Sequence, residues 1–212
     1  MLFGSRFVLS TCLAACLSGM AGGAMARPRA LPSQPSAWRT LATAADRERL
    51  RGWRDAWGKA LAAARASGHG AELAAGGALF NPDAALPGPE PQPGTYRCRV
   101  TKLGAQSPGL LDYAAYPPFT CTIAREGDVL SFAKNDGVQR PAGLLLPGDG
   151  QRMIFLGTMM LSDERQARDY GTDPERDMIG AFERLGPARW RLVLPYPRWE
   201  SLLDVIELVP AG

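Results

Sequence analysis

TYRCRVTKL, residues 95–103, sets Tyr96, Cys98 and Val100 against Arg97, Arg99 and Thr101. A period of two, with apolar groups in one phase and charged groups in the other, is the mark of a strand with one dry face and one wet face. FTCTI, residues 119–123, repeats the pattern, with Phe119, Cys121 and Ile123 alternating with Thr120 and Thr122. Working outward, eight strand-like segments follow one another at 95–103, 118–125, 128–134, 140–146, 151–161, 177–185, 188–195 and 202–209. Turn chemistry separates them at REGD (125–128), PGDG (147–150) and GPA (186–188). Eight consecutive strands with mostly short links predict an antiparallel meander. The simplest closure is a mainly β, eight-stranded, antiparallel up-and-down (lipocalin-like) small barrel over residues 94–210. A β-sandwich is the alternative. Arg97, Arg99, Arg189 and Arg191 lie opposite the phase of Cys98 and Trp190. A lipid-facing barrel would make them costly, so the outside is expected to be wet.

Upstream, the chain divides into four parts. Residues 1–26 read as a signal peptide, with MLFGSR as n-region, FVLSTCLAACLSG as apolar h-region, and cleavage between Ala26 and Arg27. A second exit overlaps the first. Leu13-Ala14-Ala15-Cys16 resembles a lipobox, in which cleavage before Cys16 leaves a lipidated cysteine and a lipid anchor. Either exit implies export to a periplasmic or secreted location, or to the outer membrane by lipid. No later apolar run is long enough to span a bilayer as a helix. Residues 27–42 read as a flexible tether. Residues 43–68 read as an amphipathic helix, capped by Thr43 and stopped at Gly68, with Leu50, Trp53, Trp57, Leu61 and Ala64 on one stripe that docks on the core. Residues 69–93 form a loop and an extended spacer rich in proline. The single histidine, His69, has no partner in view and reads as structural or solvated.

Export decides the reading of the cysteines. Cut at Ala26, the chain keeps Cys98 and Cys121, and such a pair in an oxidising compartment predicts a disulfide. The expected register sets Cys98 opposite Cys121, Tyr96 opposite Ile123 and Val100 opposite Phe119.

In an up-and-down meander, odd connections gather at one end. Here these are GAQSPGLLDYAAYPP (104–118), NDGVQ (135–139), the charged stretch SDERQARDYGTDPERD (162–177) and PYPRWES (195–201). They exceed the even turns in length and predict a binding mouth carrying Asp112, Tyr113, Tyr116, Asp163, Glu164, Arg165, Tyr170, Asp173, Tyr196, Trp199 and Glu200. Within the charged stretch, Ser162 as cap, Asp163 and Glu164 early, Arg168 late and Gly171 as stop suggest a helical turn.

Composition narrows the function classes. With 24 Lys and Arg against 21 Asp and Glu, well mixed along the chain, there is no basic stripe for nucleic acid. Gly-x-Ser-x-Gly, Gly-x-x-x-x-Gly-Lys-Ser/Thr and Gly-x-Gly-x-x-Gly do not occur, and one histidine cannot build a histidine-rich zinc site. No cofactor, no metal and no catalytic residue is expected. From Trp53 to Pro210 the chain resembles a family of exported bacterial proteins catalogued as domain-of-unknown-function family 4893. The stretches that carry the likeness include ALFNPDAALPGP, YRCRVTKLG, GLLDYAAYPPF, SFAKNDGVQRPAG and RWRLVLPYPRWESLLDVIELVP. The resemblance implies an exported small domain and assigns no residue a role. A looser similarity, at fold level, is to periplasmic barrels that inhibit lysozyme or proteinases. Three functions follow in order: a non-catalytic binding or inhibitory module whose mouth loops contact an envelope macromolecule; a carrier of a small apolar ligand; an enzyme using mouth carboxylates. Bulky interior residues such as Phe132, Phe155 and Trp190 suggest a filled barrel and place the carrier second.

Overall fold

The structure is a computed structural model that describes Met1 and residues 37–212. The signal segment, its cleavage at Ala26–Arg27, the lipobox Cys16 and most of the tether lie outside the described residues. Nine strands follow a helical segment: β1 (Gly94–Ala105), β2 (Tyr113–Ala115), β3 (Phe119–Glu126), β4 (Val129–Lys134), β5 (Gln139–Pro147), β6 (Arg152–Leu161), β7 (Asp177–Gly186), β8 (Arg189–Pro195) and β9 (Ser201–Pro210). From β3 to β9 each strand pairs antiparallel with the next. β9 then returns to β1, from Tyr96↔Pro210 to Ala105↔Ser201. The eight long strands therefore close into a barrel, as the period-two pattern predicts, and the sandwich alternative does not form. The added β2 pairs only with the end of β1, Thr101–Leu103.

Closing eight strands around side chains needs places where the wall pinches. Gly143 and Gly157 face each other across β5 and β6. A Cβ on Gly143 would lie 2.2 Å from the Leu156 carbonyl oxygen, so no larger residue fits this approach. The closed end of the barrel is packed solid. Phe132 meets Phe155 edge to face at 5.9 Å between ring centroids, and Tyr96 meets Trp190 in the same way. The proline-rich segment before β1 does not hold two parts of the chain at a distance, as a spacer would. It crosses the closed end, where Tyr96 Oη donates to the Gln92 carbonyl (2.6 Å), Trp190 Nε1 to the Pro89 carbonyl (3.1 Å) and the Gly88 amide to the Gly150 carbonyl (3.0 Å).

The helical segment is more divided than its stripe implies. α1 (Ala37–Leu41) occupies part of the expected tether. α2 (Ala44–Arg51) is capped by Thr43, whose hydroxyl accepts from the Asp46 amide. α3 (Trp53–Ala66) buries Trp53, Ala56, Trp57, Ala60, Leu61 and Ala64, spaced as one helical face. α4 (Gly70–Gly76) and a 3₁₀ turn (Gly77–Phe80) fill the start of the expected loop. The expected single helix over 43–68 breaks at Gly52, where a Cβ would lie 3.0 Å from the Tyr196 ring. His69 stacks on Tyr113 at 4.6 Å between ring centroids, and its Nδ1 lies 3.1 Å from Ser67 Oγ.

These helices correct the expectation of a wet outside. Ala181, Val193, Leu203 and Val205 point out of the barrel, yet are buried under Trp53, Trp57 and Leu61. Arg191, expected to face water, is completely buried there. Its Nε donates to Glu183 (2.7 Å), and its Nη1 donates to the carbonyls of Ala78 (2.9 Å), Leu79 (2.9 Å) and Asn81 (2.8 Å). The side chain thus supplies donors that satisfy both a buried carboxylate and the end of the 3₁₀ turn. A second outward patch, including Leu146, Ile154, Leu156 and Ile179, is covered by Trp38 and Leu50.

The cysteines also differ from expectation. β1 and β3 pair two residues out of the expected register, Tyr96 with Cys121 and Cys98 with Phe119. Both sulfurs still face the interior, but as diagonal neighbours, and both are free buried thiols. A slip of two preserves the face of every side chain, so alternation alone cannot detect it. Burial, and then the adjoining Cys98, push the Cys121 thiol far above its ordinary value.

Candidate functional site

The parity argument places the longer connections correctly, at the end opposite the packed core. There the interior is open. Val100, Phe119, Pro141, Met159, Leu194 and Ile206 wall a cavity of about 380 Å³, with Tyr116 and Val138 at its rim. The bulky residues that suggested a filled barrel fill only the other half. Phe132, Phe155 and Trp190 pack in the core cluster and are not among the residues that line the cavity.

Two charged side chains enter this apolar half because the strand phase carries them inward. Lys102 follows Val100 by two along β1, and Asp204 precedes Ile206 by two along β9. The residues pair directly across the β1–β9 seam. Lys102 is 8 % exposed and Asp204 5 %. Lys102 Nζ donates to Gln139 Oε1 (3.0 Å) and to Glu200, and lies 4.0 Å from Asp204 Oδ2. Asp204 Oδ1 accepts from the Ser201 hydroxyl. Burial pushes the Asp204 carboxyl above the usual carboxylate range, and Lys102 offsets this only in part. Burial would lower the Lys102 ammonium, but Asp204 and Glu200 outweigh it and hold it above its ordinary value. A second ammonium, Lys134, sits over the Phe119 ring at 4.5 Å and donates to the Gln139 carbonyl (2.8 Å); burial lowers it, with Asp136 opposing. Walls that are mostly apolar, with a few converging polar groups, are what a small-molecule site requires.

The mouth backbone is also held in unusual conformations. Ser162, Tyr196 and Glu200 are non-glycine residues at φ of 48°, 46° and 74°, and all three lie on mouth connections. Such conformations persist only where the surroundings impose them, and they concentrate at binding and catalytic sites.

The expected mouth residues separate into two groups. Tyr116 and Glu200 reach the cavity, and Trp199 packs against the interior cluster beside it. Three tyrosines instead tie the helices to the barrel. Tyr113 stacks on His69, Tyr196 donates to Asp55, and Tyr170 donates to Asp46 while accepting from the Thr43 amide (3.0 Å). Asp112 accepts from the Ala105 amide (2.9 Å). The charged stretch forms turns and no helix, and Ser162 is no helix cap. Its carboxylates are occupied close at hand: Glu164 accepts from the Leu161 amide (2.7 Å) and from Arg176 (2.7 Å), and Asp173 from Arg168 (3.1 Å). The Leu161 amide and Arg176 hold the Glu164 carboxyl below its usual range. Asp163 and Arg165 are exposed. Around the rim Leu110, Leu111, Tyr116 and Val138 expose apolar surface. Lys102, Asp204 and Lys134, which sequence reasoning missed, share the inward phase of Val100, Ile206 and Phe132; extending that phase by two residues finds each of them.

Among the described residues, no group of three or more His, Cys, Asp or Glu is placed to hold a metal ion, and no helix is long and apolar enough to cross a membrane. A family model described as "Domain of unknown function (DUF4893)" matches residues 38–208, and the chain belongs to that family. No curated protein and no solved structure matches it.

Proposed function

We propose that this member of the DUF4893 family binds a small, mostly apolar molecule in the mouth half of its barrel. The observation that carries the reading is the cavity itself. At about 380 Å³ it falls within the roughly 300–1,000 Å³ of small-molecule sites. It opens at the end where the strained loops gather, while the opposite end is packed and crossed by the proline-rich segment. Native mass spectrometry of the full chain, purified gently from cells, tests this. The expected result is a reproducible small-molecule adduct on the wild type that Val100→Phe, which adds volume to the cavity wall, removes. A chain that emerges bare, and that binds no apolar probe of matching size, overturns the reading.

A second reading keeps a macromolecular partner, because Leu111 and Val138 stand 71 % and 69 % exposed on the rim. Clustered exposed apolar side chains mark contact surfaces. Pull-down from envelope extract separates the two readings: Leu111→Asp with Val138→Asp abolishes capture of a rim-bound protein and leaves a cavity ligand in place. Both readings set the chain outside the cytoplasm, supported by the n-, h- and c-regions before Arg27 and the lipobox at Cys16. The mass of the exported chain tests this, since cleavage at Ala26 and lipidation at Cys16 leave different masses.

A further inference from the structure

We propose that Lys102 and Asp204 form a polar anchor for the hydroxyl of an otherwise apolar, uncharged ligand. The inference rests on the cavity being a ligand site and adds the class of ligand. Asp204 is 95 % buried, lines the cavity, and spends Oδ1 on Ser201. Among the described residues no hydrogen bond reaches its Oδ2, and the nearest cation, Lys102 Nζ, stands 4.0 Å away. That separation exceeds hydrogen-bond length, so the two groups face each other across a gap. Lys102 is equally incomplete. An ammonium carries three N–H donors, and two go to Gln139 and Glu200. One spare donor and one spare acceptor therefore converge on one point inside an apolar cavity.

A bridging atom has to accept from Lys102 and donate to Asp204. A hydroxyl oxygen does both. Two bonds of about 2.8 Å close on the 4.0 Å base at roughly 90°, near the tetrahedral directions of oxygen. Charge disfavours ionic heads. A ligand carboxylate in the gap would meet Asp204 and Glu200, and a ligand ammonium would meet Lys102 and Lys134. Either would also lose its hydration while facing a like charge as near as the opposite one. A neutral hydroxyl adds no charge to a lining where Lys102 and Lys134 already face Asp136, Glu200 and Asp204.

The test varies the head on one short chain. Octan-1-ol, 1-methoxyheptane, octanoate and octylamine are titrated into the full chain by calorimetry at neutral pH. Octan-1-ol is expected to bind at least about tenfold more tightly than the other three, since a site that hydrogen-bonds an O–H rejects analogues lacking it. Asp204→Leu is expected to bring the alcohol and the ether level. If that variant fails to fold, the comparison of heads on the wild type decides the matter alone. Equal binding of alcohol and ether, or tighter binding of either ion, overturns the anchor and leaves the cavity reading standing. Failure of all four probes to bind overturns both.

Discussion

Arg191 provides the sharpest test of how helices and barrel are joined. Replacing it with Met keeps most of the volume and removes the guanidinium. Glu183, fully buried, then retains only Arg152, whose Nε donates at 2.6 Å. The carbonyls of Ala78, Leu79 and Asn81 lose their common donor. Removing one member of a buried ion pair costs about 3–5 kcal/mol, because the other charge stays buried. Arg152 limits that loss; the Ala78 and Asn81 carbonyls keep the Asn81 (3.3 Å) and Ala84 (3.2 Å) amides, while the stranded Leu79 carbonyl adds about 1 kcal/mol or more. We expect a net loss of about 4 kcal/mol. With a urea slope of about 2 kcal/mol/M, the unfolding midpoint falls by roughly 2 M. Adding Glu183→Leu should recover part of the loss, since the orphaned charge disappears but the stranded Leu79 carbonyl does not. Urea unfolding followed by far-UV circular dichroism measures all three chains. A loss below about 1 kcal/mol for Arg191→Met would overturn this account, because Glu183 and the Leu79 carbonyl would then have other partners.

Tyr170→Phe removes the bonds to Asp46 and Thr43. A cost of about 2 kcal/mol is expected, lowering the Tm by roughly 4–8 °C; an unchanged melt means that the hydroxyl does not hold α2. The raised carboxyl of Asp204 sets a pH dependence of definite sign. Above the ordinary Asp value of about 3.9, the folded chain holds more protons than the unfolded one, so stability falls as pH rises toward the folded pKa. Asp204→Asn should therefore match the wild type near pH 4 and become the more stable of the two as pH rises. A difference independent of pH between 4 and 8 sinks this account. Cys98 and Cys121 should resist alkylation in the native chain and both react, without reductant, once it is unfolded; labelling only after reduction would show them bonded.

The barrel was legible because its strands are two-faced. Tyr96, Cys98 and Val100 keep one phase through β1, as Trp190, Leu192 and Leu194 do through β8, and the eight segments fall within about two residues of the observed strands. The grouping of long connections at one mouth followed from chain order alone. What was lost has definite physical causes. β2 is three residues long, too short to show a period. α1, α4 and the 3₁₀ turn hold their shape by docking on the barrel, and their composition alone does not announce it. Arg191 reads as solvated because an outward charge is usually wet, and only the tertiary cover reverses that. Of the site, the sequence displayed the aromatic loops. It also held the inward phase of Lys102 and Asp204, but a polar residue in an apolar phase is easily taken for a strand end.

The β1–β9 seam joins the first long strand to the last, Tyr96 to Pro210. Every other long strand finds its partner one connection away, whereas this pairing spans the whole barrel sequence. Closure therefore waits on β9 and bears the largest loop entropy of any contact in the sheet, which makes it a natural slow step in folding. A growing chain that has not yet released β9 leaves β1 and β8 with bare edges. Unpaired edges invite pairing with other chains, so the same seam that seals the native barrel makes the incomplete one prone to aggregation.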